Sequence, residues 1–338
     1  MHSAFKIAAT ALLVLSGTIA AAKPPYRLTY SGGASGGIYT LVGAGLNEAI
    51  RTAYPGSVVT NQAGAGGGIG NIAQVARKGV DVGIAADIEA RLAWAGQPPF
   101  QSPVRNMRVL AWAYAPSTGI YSAGFAINED FAKTNGIQTL ADLGAKKPAG
   151  LRLAMLPPTN LYHLVMEGVL QGSGLSLDEI KRSGGDVVRT ASSGAVELMA
   201  DRRVQLAGMG YAPNFPNFQQ MARAVPIRML PMTADVLKQV QQQYGGEQCT
   251  FKAAEDPVVL KSSDLTTLCY GGLLLVHEDM DEQTAYDLTR ALVTNAKQYQ
   301  SAYAALKAMV PAHFAAPGSS VPFHNGALRY FREAGLVK

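Results

Sequence analysis

The chain has 338 residues, 48% apolar and 16% charged, and its 29 Lys and Arg against 24 Asp and Glu give a formal net charge of +5. Nearly half apolar is ample for two hydrophobic cores, and the mild basic excess is spread along the chain, where it favours anionic partners or simply solubility. No Lys/Arg run with interleaved aromatics occurs, so nucleic-acid binding has no footprint here.

Residues 1–6 carry one lysine, residues 7–20 are apolar, and Ala20-Ala21-Ala22 offers small residues for cleavage. This is the pattern of a secretory signal peptide over residues 1–22, cleaved near Ala22. The run is shorter than the roughly 20 apolar residues of a spanning helix. No cysteine lies near the cleavage site to take a lipid anchor. What remains suits two lobes of roughly 150 residues each.

Residues 26–30 read as a strand, followed by a glycine-rich turn and a helix with Val42, Leu46, Ala49, Ile50 and Ala53 on one face. Pro55-Gly56 stops it. A strand over 58–61 enters a second glycine turn, 64–68, and a helix with Ile69, Ile72, Ala73 and Ala76 on one face; Gly79 stands at the expected C′ position. Val80, Val82 and Ile84 alternate as a strand, with a helix at 88–94 behind it. This βαβα rhythm predicts a mostly parallel sheet covered on both faces.

Apolar strands are expected at 108–114 and 120–127, with Pro116-Ser117-Thr118-Gly119 between them as a crossover. Beyond it, a strand at 151–156 ends in Pro157-Pro158-Thr159-Asn160, and a helix follows with Leu161, Leu164, Val165 and Val169. Ser176 and Glu179 form a capping box for another helix. A buried strand at 204–209 leads to Tyr211-Ala212-Pro213. Residues 270–277 read as the crossover back, ahead of a long helix with Ala285, Leu288 and Leu292 in its core stripe. The predicted class is α/β with two lobes, 23–117 with 271–338 and 118–270, hinged by two crossover segments.

Ligands on open α/β sheets bind where strands end and helices begin. Three junctions are equipped for this. One runs from Ser31 through Gly32, Gly33, Ser35 and Gly37 to Ile38 and Tyr39; another holds Gly66, Gly67 and Asn71; the third is Thr159-Asn160. Glycine lets a ligand approach the main chain. The unpaired first-turn amides carry partial positive charge and suit a carboxylate or phosphate. Arg91, Arg152 and Arg189 are candidates for a salt link, but each is by default a surface residue, and none is assigned.

Other chemistries lack their motifs. There is no G-x-x-x-x-G-K-[ST] and no H-E-x-x-H. Gly64, Gly66 and Gly70, with Asp87 further on, make only a weak variant of a dinucleotide fingerprint, and export would separate the chain from cytosolic cofactors. His163, His277, His313 and His324 are scattered and read as surface or capping residues. No metal, cofactor or catalytic pair is expected, and the chain reads as a binding protein rather than an enzyme. Cys249 and Cys269 are an even pair in an exported chain; they read as a disulfide worth roughly 3 kcal/mol, against the alternative of two buried thiols.

SGGASGGIYTLVGAGL, AGAGGGIGNIAQVARKGVDVGIAAD and the tail VPFHNGALRYFREAGL together resemble the TAXI family, the TRAP-associated extracytoplasmic immunogenic solute receptors, over nearly the whole chain. The resemblance implies a periplasmic receptor with the two-lobed periplasmic-binding-protein fold (Venus-flytrap, type II-like), read here as a monomer. It implies a TRAP-type membrane permease driven by an ion gradient as partner. It implies a small organic anion as solute, whether a dicarboxylate, a 2-oxo acid or a glutamate-like amino acid. Carried over by motif, Ser31 to Tyr39, Gly66 to Asn71 and Asp87 would face Thr159, Asn160 and Tyr211 across the cleft. The chain departs from the family pattern at Pro158-Thr159-Asn160 and at the single Tyr39 before Thr40, which leaves the solute's identity open. The alternatives are a receptor of the tripartite tricarboxylate type, against which the tail argues, and an exported enzyme on the same scaffold.

Overall fold

The structure, a computed structural model, describes residues 25–33, 37–62, 67–158 and 160–338. The expected leader, Ser35, Gly66 and Thr159 lie outside these ranges.

The first lobe opens with β1 (Arg27–Ser31), α1 (Ile38–Ala53), β2 (Val58–Gln62), α2 (Gly68–Ala76), β3 (Val82–Ala86), α3 (Asp87–Ala95) and β4 (Met107–Tyr114). The second holds β5 (Ser122–Asn128), α4 (Glu129–Thr134), α5 (Leu140–Lys146), β6 (Arg152–Met155), α6 (Leu161–Gly172), α7 (Leu177–Arg182), β7 (Asp186–Arg189), α8 (Ser192–Ala200), β8 (Leu206–Tyr211), α9 (Pro216–Ala224), β9 (Ile227–Met229), α10 (Ala234–Tyr244), β10 (Glu247–Phe251) and β11 (Leu265–Cys269). The chain then returns to the first sheet through β12 (Gly272–His277), α11 (Glu282–Thr294), α12 (Ala296–Gln300), α13 (Pro311–Phe314) and α14 (Asn325–Glu333).

The first sheet has the order β2-β1-β3-β12-β4 and the second β10-β11-β5-β8-β6-β7, with β9 beside β5. The apolar stripes read from sequence point inward: Val42, Leu46, Ala49 and Ile50 of α1 and Ala285, Leu288 and Leu292 of α11 are fully buried.

Two expectations need correction, and one hairpin adds to the expected elements. The sheets are mixed rather than mostly parallel, because the chain leaves the first lobe along β4 and re-enters along β12. The two passages run in opposite directions, so β12 is antiparallel to both β3 and β4. The second lobe carries an antiparallel hairpin, β10 with β11, bridged by a Cys249–Cys269 disulfide. The mostly exposed strand β10 lacks the apolar signal that finds strands. Finally, the left-handed residue closing α2 is Lys78, with φ 57°, and Gly79 follows it. The Lys78 amide donates to Val75 O and the Gly79 amide to Gln74 O, the bond pattern of a Schellman end displaced by one residue.

The tail docks on β4. The Val109 amide donates to Pro322 O, the His324 amide donates back to Val109 O, and His324 Nδ1 accepts from the Gly326 amide to cap α14.

Candidate functional site

Residues flanking the two glycine turns of the first lobe are tied to each other. Ser31 Oγ donates to Asn71 Oδ1 at 2.7 Å, and Asn71 Nδ2 donates to Gly32 O and Ile84 O, each at 2.7 Å. These bonds lock the end of β1, the start of α2 and β3 into one unit.

Next to this unit lies a buried carboxylate. Glu89 accepts from the Ala86 amide at 2.8 Å and from the Tyr39 hydroxyl at 3.3 Å. It packs so closely on the first turn of α2 that a β-carbon at Gly68 would lie 1.7 Å from its Oε2. The α2 N-terminus therefore already faces a carboxyl group supplied by the chain.

Between the lobes is a cavity of about 40 Å³. Gly33, Gly37, Ile38 and Tyr39 line it from the first lobe, Tyr121 from the first crossover, and Leu156, Asn160, Tyr162 and Ser192 from the second lobe. These residues put three helix N-termini on one space. The α1 terminus follows Gly37 and the α8 terminus follows Ala191, both without a side-chain cap, while at α6 Asn160 Oδ1 accepts from the Tyr162 amide at 2.9 Å. Each helix end carries roughly half a positive charge. Among the described residues, no Lys, Arg or His lines the cavity. The site can hold negative charge through main-chain dipoles and hydroxyls.

Aromatic rings form its floor. Tyr121 meets Tyr162 edge to face at 4.9 Å and Tyr114 at 6.0 Å, and Tyr162 meets Tyr270 at 5.9 Å. Burial holds the Tyr162 phenol well above its ordinary range, and neighbouring phenols and Asp87 push the same way. Asp87 opens α3, and burial pushes its carboxyl up to about 6 against the pull of the Ile88, Asp87 and Gly271 amides and of Arg91.

The family model of the NMT1-like family matches residues 31–335. The chain belongs to the NMT1-like family. Among curated proteins there is no match. Three solved structures share the architecture of this NMT1-like chain. One described as a periplasmic transporter is 16% identical, with 92% of each chain covered and a TM-score of 0.51. A binding protein component of an ABC phosphonate transporter from Pseudomonas aeruginosa is 12% identical, with 84% of this chain and 80% of that one covered, at 0.51. An R. palustris protein with adipate is 15% identical, with 80% and 83% covered, at 0.50. These likenesses establish the two-lobed periplasmic-binding-protein fold.

In the NMT1-like chain, the sequence-derived residues Gly33, Gly37, Ile38, Tyr39 and Asn160 meet at the cavity. Gly67 comes up against Asn160 from the opposite lobe. Ser31 and Asn71 have their side chains bonded to each other, and Gly32 supplies a carbonyl to Asn71. Tyr211 is buried elsewhere, donating to Asp256 at 3.1 Å between Phe218 and Phe251. Arg91, Arg152 and Arg189 are exposed and absent from the cavity wall. His163 is buried rather than on the surface, bonded through Nδ1 to Leu156 O at 2.6 Å. Sequence reasoning passed over Tyr121, Leu156, Tyr162 and Ser192. The turn Thr190-Ala191-Ser192-Ser193-Gly194 was the available signal for Ser192, as a small-residue helix start after a strand.

Proposed function

We propose that the chain is an exported periplasmic receptor that captures a small organic anion between its lobes and passes it, unchanged, to a membrane permease. The observation that carries this reading is the meeting of three helix N-termini, from both lobes, on one interlobe cavity that no basic side chain lines among the described residues. The amides following Gly37 and Ala191, with Asn160, hold a carboxylate, while Tyr39 and Tyr121 cover the carbon skeleton.

Membership of the NMT1-like family, the fold and the leader expected over residues 1–22 support export. The likeness of the tail to TAXI receptors supports a TRAP-type permease. The lobes, 23–117 with 271–338 and 118–270, part to admit solute, since about 40 Å³ falls far below the ~300 Å³ of a small-molecule pocket. The receptor works as a monomer. Of the solute classes considered, a single carboxylate suits the uncharged wall better than two, because a second buried charge would have no counter-charge.

Calorimetric titration of the purified protein with amino acids, 2-oxo acids, mono- and dicarboxylates tests the reading. Ser192→Asp is the decisive variant. An aspartate at the first position of α8 suits that helix and keeps the protein folded. It also places negative charge in the anion site, and binding should weaken 100-fold or more. Unchanged affinity refutes the site, and consumption of the solute refutes a receptor.

A further inference from the structure

Four buried polar atoms have no hydrogen-bond partner among the described residues: Asp87 Oδ1 and the phenol oxygens of Tyr114, Tyr162 and Tyr270. They form one group. Tyr162 and Tyr270 touch edge to face, Tyr162 and Tyr114 both touch Tyr121, and the charge of Asp87 bears on the phenols of Tyr162 and Tyr270. Tyr162, Tyr114 and Tyr270 are at least 99% buried, and Tyr162 lines the interlobe cavity. They come from β4, α3, α6 and the second crossover, so both lobes contribute.

An unpaired buried polar group costs roughly 1–3 kcal/mol, and folded proteins carry few. Asp87 and the phenols of Tyr162 and Tyr270 act on one another and call for a shared partner, and donor chemistry narrows what it is. A carboxylate oxygen only accepts, whereas a phenol can accept or donate. An anionic oxygen could take the phenol protons but would be repelled by Asp87, with the buried Glu89 also near Tyr39. A protonated amine has three N–H donors, enough for Asp87 Oδ1 and the phenol oxygens of Tyr162 and Tyr270, and it opposes the negative charge.

We propose that the solute presents a protonated nitrogen to Asp87 and the phenol oxygens of Tyr162 and Tyr270, while its carboxylate lies at the helix N-termini. The solute is therefore a zwitterion, not a dicarboxylate. This inference rests on the receptor reading and narrows its solute class.

Calorimetry with the purified protein compares α-amino acids with the same acids lacking the amine, such as leucine against 4-methylpentanoate and alanine against propionate. At least one amino acid should bind 100-fold or more tightly than its amine-free counterpart. Asp87→Asn should weaken that amino acid at least tenfold and leave amine-free acids within twofold. Tyr270→Phe, which keeps the ring and removes only the oxygen, should act in the same direction, about threefold. If amine-free acids bind as tightly and Asp87→Asn changes nothing, the amine subsite is overturned and the anion receptor stands. If neither set binds, the receptor reading falls and this inference falls with it.

Discussion

Gly67 of the first lobe rests against Asn160 of the second: a β-carbon at 67 would lie 2.8 Å from Asn160 Nδ2 and 3.1 Å from its Cα. The backbone at Gly67 has φ 98° and ψ −170°, a region open to glycine and almost nothing else. Gly67→Ala should therefore cost about 1–3 kcal/mol of stability and, by wedging the lobes apart, at least tenfold in solute affinity. Gly150→Ala is the control, since it also has a positive φ, 70°, but meets nothing within 4 Å. Denaturant unfolding should show a loss for both variants, and titration a loss of affinity for Gly67→Ala alone.

Gly68 and Glu89 are coupled by contact. Gly68→Ala should displace the Glu89 carboxylate and destabilise the fold by about 2–4 kcal/mol, as overpacking with a broken buried hydrogen bond does. Glu89→Ala alone frees the Ala86 amide and should also destabilise. Together the two substitutions should cost less than their sum by about 0.5–3 kcal/mol. Strict additivity in a double-mutant cycle would contradict the contact.

Asp87 makes stability depend on pH. Its folded pKa, about 6, lies above the ordinary 3.8, so the folded state holds this proton more tightly than the unfolded one. The stabilising contribution is present below about pH 4 and is lost as pH rises through 6, a change of about 3 kcal/mol. The groups acting on it are Arg91, Tyr162, Tyr270 and the amides of Asp87, Ile88 and Gly271. Asp87→Asn should accordingly raise the unfolding free energy at pH 7.5, with the gap shrinking towards pH 4. A variant more stable yet poorer at binding would show that the site is held at the expense of the fold.

The Cys249–Cys269 link ties β10 to β11 at one edge of the second sheet. Reduction, or the double substitution to serine, should lower the denaturation free energy by roughly 3 kcal/mol. Equal denaturation midpoints with and without reductant would argue against that stabilisation.

The first lobe was the more readable from sequence, and the reason is local. β1, α1, β2, α2 and β3 carry periodic apolar residues punctuated by glycine turns, so element type and the position of Gly33 to Tyr39 follow from pattern alone. Ser31 and Asn71 show the limit of such reading. Polar residues beside a glycine turn look like ligand contacts until the structure reveals that they bond each other. Tyr162 was hidden for a different reason. On α6 it sits one position off the expected apolar face, and its place at the cavity depends on Tyr121 and Tyr270, each more than 40 residues distant. The direction of β12 depends on where the chain leaves the first lobe, which no local window contains.

The paired passages between the lobes constrain how the cleft can open. Gly272 pairs with Tyr114 on one side of the gap and Cys269 with Ser122 on the other, and the Tyr270 amide donates to Tyr121 O at 3.0 Å between them. The two connections thus form a laced ribbon, not independent tethers. Sliding one half past the other would break the lacing, whereas flexing the ribbon across its width keeps every rung. For the opening proposed above, the motion that keeps these rungs is a single-axis swing like that of a book on its spine, along which Gly67 and Asn160 would separate and rejoin.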